Sequence, residues 1–140
     1  MEECTIQGYM VKRKNKKISV DTSTVLRYVL ADVPKQHFEA KDIFLRAEKG
    51  EYSIYLDEII SVEIVWVLIK MYKFKKIEAL NALSKILKWR FIVNPRKKMM
   101  LKAIILSSKT QLSYPDAWLY ILSKEYDLEM KTFDEAQAKN

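Results

Sequence analysis

Four short runs of β-forming residues punctuate this chain, and the segments between them carry helical spacing. The runs are KISV (17–20), YSIYL (52–56), FIV (91–93) and EMKTF (129–133). Between the first two, the Thr22-Ser23-Thr24 hydroxyls offer N-caps for a helix with Val25, Leu26, Val29 and Leu30 on its apolar side. A second helix, about 35–49, runs to Gly50 as its C-cap. Asp57 can cap an apolar helix reaching about Tyr72, and a further helix at about 75–88 places Ile77, Leu80, Leu83, Ile86 and Leu87 at helical spacing. RKKMMLKAIILSSK (96–109) and LSYPDAWLYILSKEYDL (112–128) supply two more. Strands alternating with one or two helices predict an α/β domain with a mainly parallel central sheet. At 140 residues the chain is one domain, expected over 17–140, preceded by a basic extension at 1–16 expected to be flexible.

Scarcity narrows the chemistry. The two glycines, Gly8 and Gly50, cannot write a glycine-rich phosphate loop or a dinucleotide fingerprint. One histidine, His37, and one cysteine, Cys4, exclude zinc sites built on Cys/His pairs and most His-assisted nucleophiles. Any catalysis must rest on carboxylates, lysines or hydroxyls. The longest apolar run, 59–69, is about half a membrane span and is interrupted by Glu63, so no membrane partner is expected. The N-terminus lacks the apolar stretch of a secretion signal and Cys4 has no disulfide mate, which predicts a cytoplasmic protein.

The charge of +7 is unevenly spread. From Lys70 to Lys102 there are eleven Lys/Arg and one acid, Glu78, whereas the rest of the chain beyond residue 17 is acidic on balance. Two readings stay open: lysine-rich helix faces in water, or a docking surface for a polyanion such as nucleic acid.

Four acids stand out by position. Asp21 follows the first strand and Asp134 the last, the carboxyl ends where open α/β sheets bind ligands. Asp116 lies in the first turn of the helix beginning near Ser113. Glu63 sits inside IISVEIVWVLIK, on one helix face with Ile59, Ile60, Trp66 and Val67, and a carboxylate taken out of water there needs a partner. Each of the other three also has a plain structural role as a turn or capping residue. If all four met in one crevice, a hard cation such as Mg²⁺ or Mn²⁺ would suit their oxygens.

With these segments in order, the chain resembles the PIN-domain nucleases, and among them the VapC toxins of bacterial and archaeal toxin–antitoxin pairs. The resemblance runs from about Ile18 to Glu135 through ISVDTSTVLRYVLADVP, SVEIVWVL, LSYPDAWLYIL and KTFD. It implies a PIN-like three-layer α/β fold. It also implies that Asp21, Glu63, Asp116 and Asp134 are the catalytic, metal-binding acids, with Ser23 and Thr132 supporting them through hydrogen bonds. The activity implied is a Mg²⁺- or Mn²⁺-dependent endoribonuclease, acting on RNA such as tRNA or rRNA. A small antitoxin protein and a second copy of the chain, as a homodimer, are the implied protein partners. Lys73, Lys75, Lys76, Arg96, Lys97 and Lys98 are candidates for RNA backbone contacts. Two other readings stay open: a PIN nuclease of RNA maturation or decay without an antitoxin, and a non-catalytic module that binds RNA or protein.

Overall fold

A computed structural model describes residues 4–6, 9–11 and 16–133. Two short strands, β1 (Cys4–Ile6) and β2 (Tyr9–Val11), pair antiparallel. The remaining elements repeat one unit, a strand followed by two helices. β3 (Lys17–Ser19) leads to α1 (Thr22–Leu30) and α2 (Pro34–Glu48). β4 (Ser53–Tyr55) leads to α3 (Glu58–Lys70) and α4 (Lys76–Lys88), and β5 (Ile92–Val93) to α5 (Lys97–Lys109) and α6 (Tyr114–Glu125).

β3, β4 and β5 form one parallel sheet in that order, with Ile18 opposite Ile54 and Ile54 opposite Ile92. The central strand is the most enclosed: Ile54 and, just beyond it, Leu56 are fully buried. Around them pack Phe44 of α2, Ile64 and Leu68 of α3, Leu80, Leu83 and Leu87 of α4, and Met100 of α5. Truncating one such side chain to alanine typically costs about 2–5 kcal/mol. The Met99-Met100 pair belongs to this core, with Met100 wholly enclosed. His37 is also structural, its Nδ1 lying 3.1 Å from the Arg27 carbonyl and its ring stacked on Tyr28.

The α/β reading holds, and three local expectations are corrected. Residues 129–133 have no regular structure rather than a last strand, so the described sheet ends at β5. α1 is capped by Asp21 itself, whose carboxylate accepts the Thr24 amide, and not by the hydroxyls that follow. Asp21 takes the cap because the helix already begins at Thr22, so the extended residue just before it is the one whose side chain reaches the free amides of the first turn. α3 ends at Lys70 rather than Tyr72, and Lys73 just beyond adopts a left-handed φ of 60° that reverses the chain. Gly50 ends α2 as expected, at φ 92°, where an L side chain would be strained. Among the described residues no helix is long and apolar enough to cross a membrane.

Candidate active site

The site begins where β3 stops. Two residues after the strand, Asp21 turns the chain into α1 and gathers three donors on one oxygen. Its Oδ1 accepts the Ser23 hydroxyl at 2.8 Å, the Thr24 amide at 3.0 Å and the Thr24 hydroxyl at 2.9 Å. The Thr24 amide, then the two hydroxyls, hold the Asp21 carboxyl below the usual carboxylate range. All three bonds fall on Oδ1, so Oδ2 has no hydrogen-bond partner among the described residues.

Glu63 is reached from the same turn. The face of α3 that enters the core is Ser61, Ile64, Val65 and Leu68, a spacing of one helical stripe. Glu63 lies opposite and is exposed, beside Ile59 at 70% and Trp66 at 56% exposure. The expectation of a carboxylate taken out of water is therefore corrected. α3 is apolar on every side, but only one side is covered. Glu63 has a partner all the same, because the Thr22 hydroxyl donates to its Oε1. Thr22 is buried and adjoins Asp21, so this bond joins α3 to the start of α1 and brings the two acids to one place.

Asp116 occupies the first turn of α6, half-buried, with its amide donating to the Ser113 hydroxyl at 3.3 Å. Its carboxylate has no partner among the described residues. The beginning of α6 is tied to the beginning of α3 by Ser61 Oγ and Tyr114 OH, 3.0 Å apart. Tyr114 is deeply buried, and that burial, partly offset by Ser61, pushes its hydroxyl pKa up to about 12. Asp134 lies outside the described residues.

Asp21 and Glu63 line one open cleft of about 770 Å³ between α1 and α3, together with Leu26, Arg27, Trp66 and Tyr72. Asp21 also borders a smaller hollow at the carboxyl ends of β3 and β4, with Asp57 and Ile59. Asp116 lines neither. All the candidate donors are carboxylate oxygens, which suit a hard cation in kind. In number they fall short: among the described residues no three His, Cys, Asp or Glu side chains are gathered so as to hold a metal ion.

The basic segment divides in two. Lys76 Nζ donates to the Thr110 and Leu112 carbonyls at 3.0 and 2.7 Å, holding the turn after α5. Lys97 Nζ donates to the Trp89 and Ile92 carbonyls at 3.0 and 2.7 Å. Burial lowers the pKa of both. Arg96 pairs with Glu58 at 2.6 Å. These three cations of the six expected on RNA have work inside the fold, whereas Lys73, Lys75 and Lys98 are exposed and without an ion-pair partner among the described residues.

Sequence reasoning gave Thr22, Arg27 and Trp66 no part in the site. Thr22 adjoins Asp21 and Trp66 follows Glu63 by one helical turn, so both were legible as neighbours of the acids. Arg27 was not, because Asp32 stands five residues on, beyond helical spacing, and only tertiary structure brings Tyr72 onto it.

A family model described as PIN domain matches residues 18–140, a span containing all four acids. No curated protein and no solved structure matches the chain.

Proposed function

The chain belongs to the PIN-domain family, whose members are generally metal-dependent nucleases, and from that premise we propose that it is an endoribonuclease acting as the toxin of a VapBC-type pair. The observation that carries the reading is the convergence of Asp21 and Glu63 through Thr22 in one open cleft. In this reading Asp21, Glu63, Asp116 and Asp134 hold Mg²⁺ or Mn²⁺. Such a cation, when bound, supplies an activated water and polarised phosphoryl oxygens.

The chain's own residues do the rest. Ser23 and Thr24 fix the orientation of Asp21 by filling Oδ1, which leaves Oδ2 to face a ligand. Thr22 fixes Glu63 in the same way through Oε1. The exposed Lys70, Lys73 and Lys75 raise the local concentration of RNA phosphates beside an otherwise acidic site. The partners proposed are an RNA such as tRNA or rRNA, a small antitoxin protein, and a second copy of the chain. The support for the toxin assignment is the sequence resemblance through ISVDTSTVL and SVEIVWVL.

The test is incubation of total cellular RNA with purified protein in Mn²⁺, in Mg²⁺ and in EDTA, beside an Asp116→Asn variant. Discrete fragments from the wild type in metal alone are expected. If wild type and variant are equally inert while RNA still binds, the chain is a binding module and not a nuclease.

A further inference from the structure

Trp66 projects from α3 one turn beyond Glu63, more than half exposed, and no aromatic ring covers it among the described residues. Trp89 shows the contrast, enclosed against Tyr28, Phe44 and Phe91 with ring centroids 5.6–6.0 Å away. An uncovered indole in the wall of the cleft that holds both acids is a surface in want of an occupant.

The opposite wall carries a prepared cation. Arg27 on α1 is only partly exposed, its Nη1 held by Asp32 at 2.7 Å and its Nη2 by the Tyr72 hydroxyl at 3.5 Å. Tyr72 donates in turn to Asp32 at 3.1 Å, which closes a triangle around the guanidinium. Two of the five guanidinium N–H donors are accounted for by these bonds, so the fork is fixed and still has donors left. Lys70, Lys73 and Lys75 are exposed on the stretch that includes Met71 and Tyr72 at the end of the cleft. A flat apolar face, a fixed guanidinium and an outward run of lysines together complement a ligand with a ring and a chain of phosphates.

We propose that this cleft is the subsite for one unpaired nucleotide of the RNA, its base laid on Trp66 and its phosphates met by Arg27 and the lysines that follow α3. The inference rests on the nuclease reading and assigns to it two positioning residues, Trp66 for the base and Arg27 for the phosphates. A base inside a duplex has both faces covered by its neighbours, so only a loop, bulge or end can offer one to an indole. Stacking tolerates any base, so the subsite selects for single-strandedness and leaves sequence to other contacts.

The test uses binding alone, in EDTA, so that no cleavage enters the readout. An unstructured oligoribonucleotide and a blunt duplex of the same sequence are titrated into wild type, Trp66→Phe and Trp66→Leu, following tryptophan emission and affinity. The single strand is expected to quench an emission component that Trp66→Phe lacks, while the duplex leaves that component unchanged. Trp66→Leu, which keeps an apolar side chain without a ring, is expected to bind about tenfold more weakly, and Trp66→Phe comparably to wild type. RNA bound with Trp66 emission unchanged, Trp66→Leu binding as tightly as wild type, or no RNA binding at all would overturn the proposal and leave the cleft to a protein partner. Quenching by a protein that never cleaves RNA would sink the nuclease reading alone. Metal-dependent cleavage without any Trp66 effect would sink the subsite alone.

Discussion

The Thr22 hydroxyl, at the first residue of α1, donates to Glu63 Oε1 on α3 across forty-one positions of sequence. This bond does for Glu63 what the Ser23 and Thr24 hydroxyls do for Asp21: it occupies one carboxylate oxygen and sets the direction of the other. Thr22→Val keeps the shape and removes the donor. Because Glu63 is exposed and water can replace the lost bond, the stability cost should stay near 1 kcal/mol. Cation affinity should fall further, by about tenfold, since a group orienting a metal ligand typically contributes that much. Calorimetric titration with Mn²⁺ beside urea unfolding separates the two effects. Unchanged Mn²⁺ affinity would mean that Glu63 is no part of a metal site.

Asp21 is both the cap of α1 and a proposed ligand, and two substitutions divide these roles. Asparagine caps a helix as well as aspartate does, whereas alanine costs about 1 kcal/mol. Asp21→Asn should therefore melt close to the wild type, yet lose any rise in Tm caused by Mn²⁺. The wild-type carboxyl is held below its unfolded value of 3.8, so its contribution is complete above that value and is lost as pH falls through the lower folded one. The stability gap between wild type and Asp21→Asn should accordingly stay constant well above that unfolded value and shift only as pH falls through and below it. A gap that changed instead near neutral pH would contradict this account.

The fold was largely readable because strand and helix periods differ and because caps such as Asp57 and Gly50 are local. The run at 129–133 forms no strand although β3 and β5 each have an edge unpaired among the described residues, because β-propensity is a weak preference that the packing around a segment overrides. The exposure of Glu63 was misread for a different reason. α3 is apolar all round, so its sequence carries no stripe to say which face turns inward. Ser61 makes the point, since this hydroxyl is fully buried against Tyr114 while Ile59 lies open. Asp21 was placed well because a residue just after a strand can only stand at the sheet's edge. The division of the lysines was out of reach, since whether an ammonium meets water or a helix-end carbonyl is decided by contacts over thirty residues apart, as at Lys76.

That division can be tested by substituting one lysine of each kind. Lys76→Ala leaves the Thr110 carbonyl without its side-chain donor and the Leu112 carbonyl with the Ser107 hydroxyl alone, and should cost about 1–3 kcal/mol. Its effect on RNA affinity, corrected for folding, should be small. Lys75 gives only backbone groups to the fold, its amide accepted by Glu78 at 2.8 Å and its carbonyl accepting the Ala79 amide at 3.0 Å, and its side chain is exposed. Lys75→Ala should leave stability within about 0.5 kcal/mol of wild type. It should also flatten the dependence of log K on log salt by about 0.7 for a single strand. Salt titrations of RNA binding on both variants decide the matter. Equal slopes for Lys75→Ala and wild type would remove this lysine from the RNA path.

Asn94, just past β5, is the buried link between the sheet and the start of α3. Its amide Nδ2 donates to the Leu56 carbonyl at 2.8 Å and to Glu58 Oε1 at 2.7 Å, while its Oδ1 accepts the Arg96 amide at 2.8 Å. Burial pulls the Glu58 carboxyl upward, but Asn94 and Arg96 outweigh it and the net shift is downward. Asn94→Asp keeps the shape, removes both donated bonds and sets a second carboxylate against Glu58. The loss should be about 3 kcal/mol near neutral pH, the range for an uncompensated charge in a buried pair. Acid should relieve it, because protonating either carboxyl ends the repulsion and restores a donor. The wild type moves the other way: its Glu58 contribution is present above the unfolded value of 4.5 and is lost as pH falls through the lower folded one. The two urea-unfolding curves should therefore converge as pH falls through and below that unfolded value, and curves that stay parallel there would show that Asn94 does not govern the Glu58 charge.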